Sequence, residues 1–248
     1  MTPTLKCKAV FDADGTTDWS IESGANPFTP TAGRLLLMFQ NSFLGNTSEI
    51  VIPTCDQGTF KEFSKAKKYV NPMTIRIARI EGCNGGAHTL TLPTLVANDD
   101  CYVWVYECDG FPRQVQLTSA NAVRNASSSK NWSITTANGT PKKGDWAFAF
   151  THYENSAALA TTDIANPSGW TQLDVEQNAQ SNLPSQLCYK RVTQDGAITA
   201  SWSMTLDNNQ TDDYSVILTL RPIPDAIEAP DYTQHAKQLI ADRANGLR

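Results

Sequence analysis

Short apolar runs alternate with single polar or small residues along most of the chain. Trp146, Phe148 and Phe150 alternate with Ala147 and Ala149; Trp202, Met204 and Leu206 alternate with Ser201, Ser203 and Thr205; Ile75 and Ile77 alternate with Arg76 and Ala78. Side chains of an extended strand point to opposite faces in turn, so a period of two predicts strands with one apolar face. The runs are short and end in turn residues: Glu81-Gly82-Cys83-Asn84-Gly85-Gly86, Gln194-Asp195-Gly196, Asp207-Asn208-Asn209 and Asn98-Asp99-Asp100. Such punctuation suits hairpins and short loops between strands.

The pattern also repeats. Trp19-Ser20-Ile21 recurs as Trp132-Ser133-Ile134, 113 residues on. Gly33 opens the run Leu35-Leu36-Leu37-Met38-Phe39 as Gly144 opens Trp146-Ala147-Phe148-Ala149-Phe150, at an offset of 111. Pro72 and Arg79 match Pro184 and Arg191 at 112, and Asp99-Asp100 matches Asp212-Asp213 at 113, each pair leading into an apolar run. A near-constant offset across half a chain is the mark of an internal repeat. The sequence therefore predicts an all-β protein of two tandem antiparallel β-sandwich domains, residues 1–112 and 113–226, of immunoglobulin-like or jelly-roll type. Strand order is not legible at this level.

One segment departs from the period of two. Residues 227–248 read as a Pro-containing linker and a short C-terminal helix, in which Tyr232, Ala236, Leu239, Ile240 and Arg243 fall on one face at spacings of three and four. A helix this short is marginal alone in water. Tyr232, Leu239, Ile240 and Arg243 are therefore the candidate partner-docking residues.

Composition narrows the function. Hydrophobic residues make up 40% and charged residues 18%, and no apolar run is long enough to span a membrane. A net charge of −5 disfavours nucleic acid as a partner. The basic cluster Lys61, Lys65, Lys67 and Lys68 reads as a solvated loop. The first eight residues lack the apolar core of a signal peptide, so production in a cytoplasm is expected.

Candidate chemistry is sparse. The alternate carboxylates of Asp12, Asp14 and Asp18 suit calcium, yet no Glu closes the loop as an EF-hand requires, so a solvated turn is expected there. The Asp99-Asp100 and Asp212-Asp213 pairs read as loop ends before the last strand of each copy. His88, His152 and His235 lie on separate segments, and there is no nucleophile elbow, phosphate loop or dinucleotide fingerprint. No catalytic residue, metal or cofactor is assigned. Cys7, Cys55, Cys83, Cys101, Cys108 and Cys188 include no Cys-x-x-Cys; they are either buried thiols or cross-links, pairing between subunits being the sharper alternative. Of six tryptophans, Trp170 in Pro167-Ser168-Gly169-Trp170-Thr171 is the one left over for a glycan platform.

Copy two runs Gly144-Asp145-Trp146-Ala147-Phe148, then Pro167-Ser168-Gly169-Trp170-Thr171, then Cys188-Tyr189-Lys190-Arg191-Val192, then Val216-Ile217-Leu218-Thr219-Leu220. This order resembles a β-sandwich module of structural proteins of tailed bacteriophages, in which a Gly-Asp strand, a Pro-x-Gly-Trp turn and a Tyr-Lys/Arg strand recur. Copy one follows by internal homology, with Gly58-Thr59-Phe60 where Gly-Trp is expected. The resemblance implies a non-enzymatic virion component, a head decoration, neck or tail-associated protein. It would be assembled in the host cytoplasm, oligomerise, and act through contacts with capsid, neck or tail subunits. The alternative is a glycan-binding module that recognises a cell-surface polysaccharide.

Overall fold

The computed structural model describes residues 2–11, 19–43, 51–56, 58–67, 73–95, 100–109, 114–125, 130–137, 139–155, 164–177, 184–204 and 210–223. Within them the chain is all-β. The first half supplies β1 (Pro3–Phe11), β2 (Ser20–Gly24), β3 (Leu35–Phe43), β4 (Thr54–Cys55), β5 (Gly58–Thr59), β6 (Lys61–Lys67), β7 (Met73–Ile80), β8 (Leu90–Thr91) and β9 (Asp100–Cys108). The second supplies β10 (Gln114–Asn125), β11 (Asn131–Thr135), β12 (Trp146–Asn155), β13 (Ile164–Ala165), β14 (Thr171–Gln177), β15 (Pro184–Arg191), β16 (Thr199–Met204) and β17 (Gln210–Ile223). The C-terminal helix expected after residue 230, with Tyr232, Leu239, Ile240 and Arg243, lies outside the described residues, as do the turn at 12–18 and Pro72.

The strands form four antiparallel sheets, and no sheet mixes described strands of the two halves. The large sheets run β2-β1-β9-β3-β7-β6 and β10-β17-β12-β15-β14; the small ones run β5-β4-β8 and β11-β16-β13. Five strands of the first large sheet, β1-β9-β3-β7-β6, stand in the same order as β10-β17-β12-β15-β14 when taken by their place in each half. Irregularities fall at matching places too. Pairing with the neighbour shifts between Leu5 and Cys7 in β1 and between Leu117 and Ser119 in β10. It shifts again between Glu62 and Ser64 in β6 and between Gln172 and Asp174 in β14.

A glycine accompanies each of the first two shifts. Gly24, at φ +74°, lies so close to β1 that a Cβ would sit 2.1 Å from the carbonyl oxygen of Lys6; Gly139, at φ +111°, would place one 2.0 Å from that of Thr118. Lys6 and Thr118 are the residues between the shifted pairs. Only glycine combines the left-handed backbone with so close an approach.

Packing follows the alternation, but on both faces. Phe148 and Phe150 of β12 join a core between the two large sheets, with Leu35, Leu37 and Phe39 of β3, Trp104 and Tyr106 of β9, and Val216 and Leu218 of β17. Ala147 and Ala149 are equally buried, in a second core with Trp132, Trp170 and Trp202 beneath the small sheet of the second half. A third core, with Leu36, Met38, Phe60, Val103 and Val105, lies under the small sheet of the first half. The layers thus run small, large, large, small. Strand β9 is buried at all nine positions because both of its faces meet a core.

Candidate functional site

At the seam between the large sheets one core draws on both halves. At its centre Phe39 meets Phe150 edge-on, ring centroids 6.0 Å apart, and Trp104 meets the same ring at 5.8 Å. Two residues further along β3 and β12 stand Asn41 and His152. The Asn41 amide nitrogen lies 2.8 Å from His152 Nδ1 and donates to Ser185 Oγ at 2.9 Å, and Ser185 Oγ lies 2.8 Å from the same ring nitrogen. His152 Nε2 and Asn41 Oδ1 are buried with no partner among the described residues. Burial holds the His152 pKa down at about 3. A hydroxyl beside an imidazole has the outline of a nucleophile and base, but His152 is 1% and Ser185 2% exposed. A ring so reluctant to take a proton is a poor base at neutral pH.

One margin of the seam is ionic. Lys8 of β1 reaches Glu176 of β14, lies 3.1 Å from Glu22 and 3.6 Å from Asp174, and is itself buried. Burial works against the ammonium, but the surrounding carboxylates, Glu176 foremost, outweigh it and raise its pKa. Trp104 Nε1 donates to Asp174 Oδ2 at 2.7 Å, a second polar tie between the halves. Beside these groups a cleft of about 520 Å³ opens, lined by Leu5, Lys8, Tyr106, Asp174 and Tyr189 among others.

The residues that the sequence singled out fall mostly inside cores. Trp170 does not offer a glycan platform: it is 6% exposed, packs in the core of the second half and donates its indole N–H to the Thr199 carbonyl at 3.2 Å. Phe60 holds the corresponding place in the first half, at 1% exposed. Trp132 donates to Thr151 Oγ1 at 2.9 Å and stacks near Trp202, with centroids 6.2 Å apart. Cross-linking is not seen either. No disulfide joins any of Cys7, Cys55, Cys83, Cys101, Cys108 and Cys188, and all six side chains are buried. Burial raises the pKa of Cys7 to about 11 and pushes Cys108 and Cys188 up as well. The thiolate that disulfide exchange requires is therefore scarce, and no second subunit can reach it without opening a core.

Asp100 opens β9, as a loop-end residue should, whereas Asp212 and Asp213 already lie inside β17. His88 is buried between Asp56 Oδ1, 2.9 Å from Nδ1, and the Asn84 carbonyl, 2.7 Å from Nε2. His235 lies outside the described residues. Among the described residues no three metal-binding side chains gather. The basic cluster is not a loop: Lys61, Lys65 and Lys67 lie in strand β6, Lys61 exposed and Lys65 3.8 Å from Glu62, while Lys68 lies outside the described residues.

The groups at the seam were not singled out in the sequence, although a signal existed. Asn41 and His152 are separated by the same 111 residues as Gly33 and Gly144. Each is the polar residue that interrupts an otherwise apolar alternation at the same step. No family model, curated protein or solved structure matches the chain.

Proposed function

We propose that the chain is a non-enzymatic structural protein of a tailed-phage virion, a head decoration, neck or tail-associated component built from two tandem β-sandwich modules. The observation that supports this most directly is that Gly144, Asp145 and Trp170, motif residues behind the phage resemblance, serve the fold. Gly144 adopts φ +96° to turn into β12. The buried Asp145 accepts from Lys142 N–H at 2.9 Å, from the Thr118 hydroxyl at 3.1 Å, and from Arg221 through Nε at 2.8 Å and Nη2 at 2.9 Å. Burial alone would raise the Asp145 pKa, but these partners together hold it below the usual carboxylate range. Trp170 fills the core. These three residues are committed to the fold, and the Ser185–His152 pair of the seam is sealed, at 2% and 1% exposed. Such a body acts by presenting surface.

The surfaces it can present are the outer faces of the small sheets and the sheet edges. Strand β2 is an edge strand exposed at all five positions, a form suited to pairing with another subunit. Tyr232, Leu239, Ile240 and Arg243 are the proposed second contact.

The test is mass spectrometry of virions purified from a lysate in which this chain is produced, followed by cryo-electron microscopy. Near-stoichiometric copies arrayed on head, neck or tail are expected. Recovery of the chain solely in the soluble, virion-free fraction would overturn the proposal.

A further inference from the structure

We infer that the outer face of the small sheet β11-β16-β13 is a binding groove for a neutral carbohydrate chain. In β11 and β16 the inward positions are Trp132, Ile134, Ala200, Trp202 and Met204, all buried. The outward positions are uniformly small, polar and uncharged, paired across the strands as Asn131 with Ser203, Ser133 with Ser201 and Thr135 with Thr199. The last pair shares a hydrogen bond of 2.8 Å between its hydroxyls. Asn166 and Ser168, from the loop after β13, wall one side, and the open groove measures about 420 Å³.

The chemistry of this lining selects its ligand. Hydroxyls and amides each donate and accept, so they match a ligand that is itself rich in hydroxyls. Among the described residues, none that line the groove carries a charge. A phosphate, sulfate or ammonium group would give up water here without finding a counter-charge, which disfavours ionic ligands. A peptide partner fits less well. The groove lies on the face of the sheet rather than its edge, so it offers no unpaired strand backbone, and its described aromatic lining, Trp132 and Trp202, is buried. The short side chains bring a ligand close to the sheet and leave the groove open along its length, as a chain of sugar rings needs.

This site stands apart from the virion assignment and from Trp170, whose ring lies on the opposite, buried side of the same layer. Trp132 and Trp202 also line the groove but are buried at 5% and 1% exposed, so each copy binds weakly and repeated presentation supplies the retention.

The test displays the full-length protein on beads at high density. It measures retention of soluble glucan, mannan, galactan and poly-N-acetylhexosamine, with alginate and heparin as charged controls. At least one neutral polymer is expected to be retained, and Ser201→Glu to lower that retention at least tenfold. Because Ser201 is exposed, the variant keeps its fold, checked by circular dichroism and thermal midpoint. Ser133→Lys, of opposite charge, provides a second blockade with the same expected loss. Retention of none of the neutral polymers, preference for the charged ones, or equal retention by both variants overturns the inference. So does a change confined to self-association in Ser201→Glu, which would mark a contact between copies instead. Incorporation into virions is scored separately, so failure here leaves the virion proposal where it stood.

Discussion

Lowering the pH should loosen the seam through His152. The ring is neutral in the folded state, with a pKa near 3, against 6.5 for an unhindered histidine. Below 6.5 the unfolded chain therefore binds a proton that the folded chain refuses. Stability is whole above pH 6.5, falls as pH drops, and stops falling on this account near pH 3. Between pH 7 and pH 5 the two pKa values correspond to a loss of about 2 kcal/mol, from 1.36 kcal/mol per unit. Against a total stability of about 5 to 15 kcal/mol this is a substantial share. Urea unfolding measures it as a midpoint shift of about 1 M for a slope near 2 kcal/mol per molar. His152→Gln isolates the residue. The variant is less stable at pH 7, because glutamine repacks imperfectly beside Asn41 and Ser185, but it should lose about 2 kcal/mol less between pH 7 and pH 5. Comparing the two proteins removes whatever is common to both. Equal losses in the two proteins would refute the assignment of a buried neutral imidazole to the seam.

Three other outcomes are expected. Gly139→Ala forces a Cβ onto the Thr118 carbonyl at positive φ, so urea unfolding should show a loss of about 2 to 4 kcal/mol; at Gly144, where a Cβ meets open space, the backbone term alone should give about 1 kcal/mol. In a double-mutant cycle, Lys8→Met and Glu176→Leu should show a coupling of about 1 kcal/mol or more, since the contact crosses the seam at a buried ammonium; additivity would show that the ion pair does not tie the halves. Ellman's reagent should find no fast-reacting thiol in the native protein and all six cysteines after denaturation, and a non-reducing gel should show a monomer band.

Much of the strand inventory was legible because alternation and turn residues are local signals. The runs after Gly33 and Gly144 became β3 and β12, and the apolar run at 102–106 became part of β9. What alternation could not convey is how many cores a strand touches. Tyr102-Val103-Trp104-Val105-Tyr106 is apolar throughout, as a strand buried on both faces must be, and Ala147 and Ala149 look like spacers until a second sheet is seen to lie on them. Trp170 was misjudged for a similar reason: a tryptophan in a Pro-Gly turn reads as exposed, yet the turn folds the ring inward, with Asn166 Nδ2 donating to the Trp170 carbonyl at 2.7 Å. The shifts at Lys6 and Thr118 each involve a single extra residue, which no periodicity over a short window resolves. Their companion glycines would have sharpened the repeat had the close approach been foreseeable.

The seam also bears on how the chain makes outside contacts. A β-sheet face as apolar as that of Leu37, Phe39, Ile77, Trp104 and Tyr106 would, in a single-module protein, be the obvious place for a partner. Here the second half occupies it, with Phe148, Phe150, Val216 and Leu218 set against it. The arrangement resembles a dimer interface enclosed within one chain, because strands of like position face one another: β3 carries Phe39 and Asn41, and β12 answers with Phe150 and His152. Enclosure has a consequence for assembly. Among the described residues this apolar face is already used, so on the proposed reading partners would meet polar outer faces and edge strands such as β2. Contacts of that kind are individually modest, and the virion proposed above would supply the repetition that retains them.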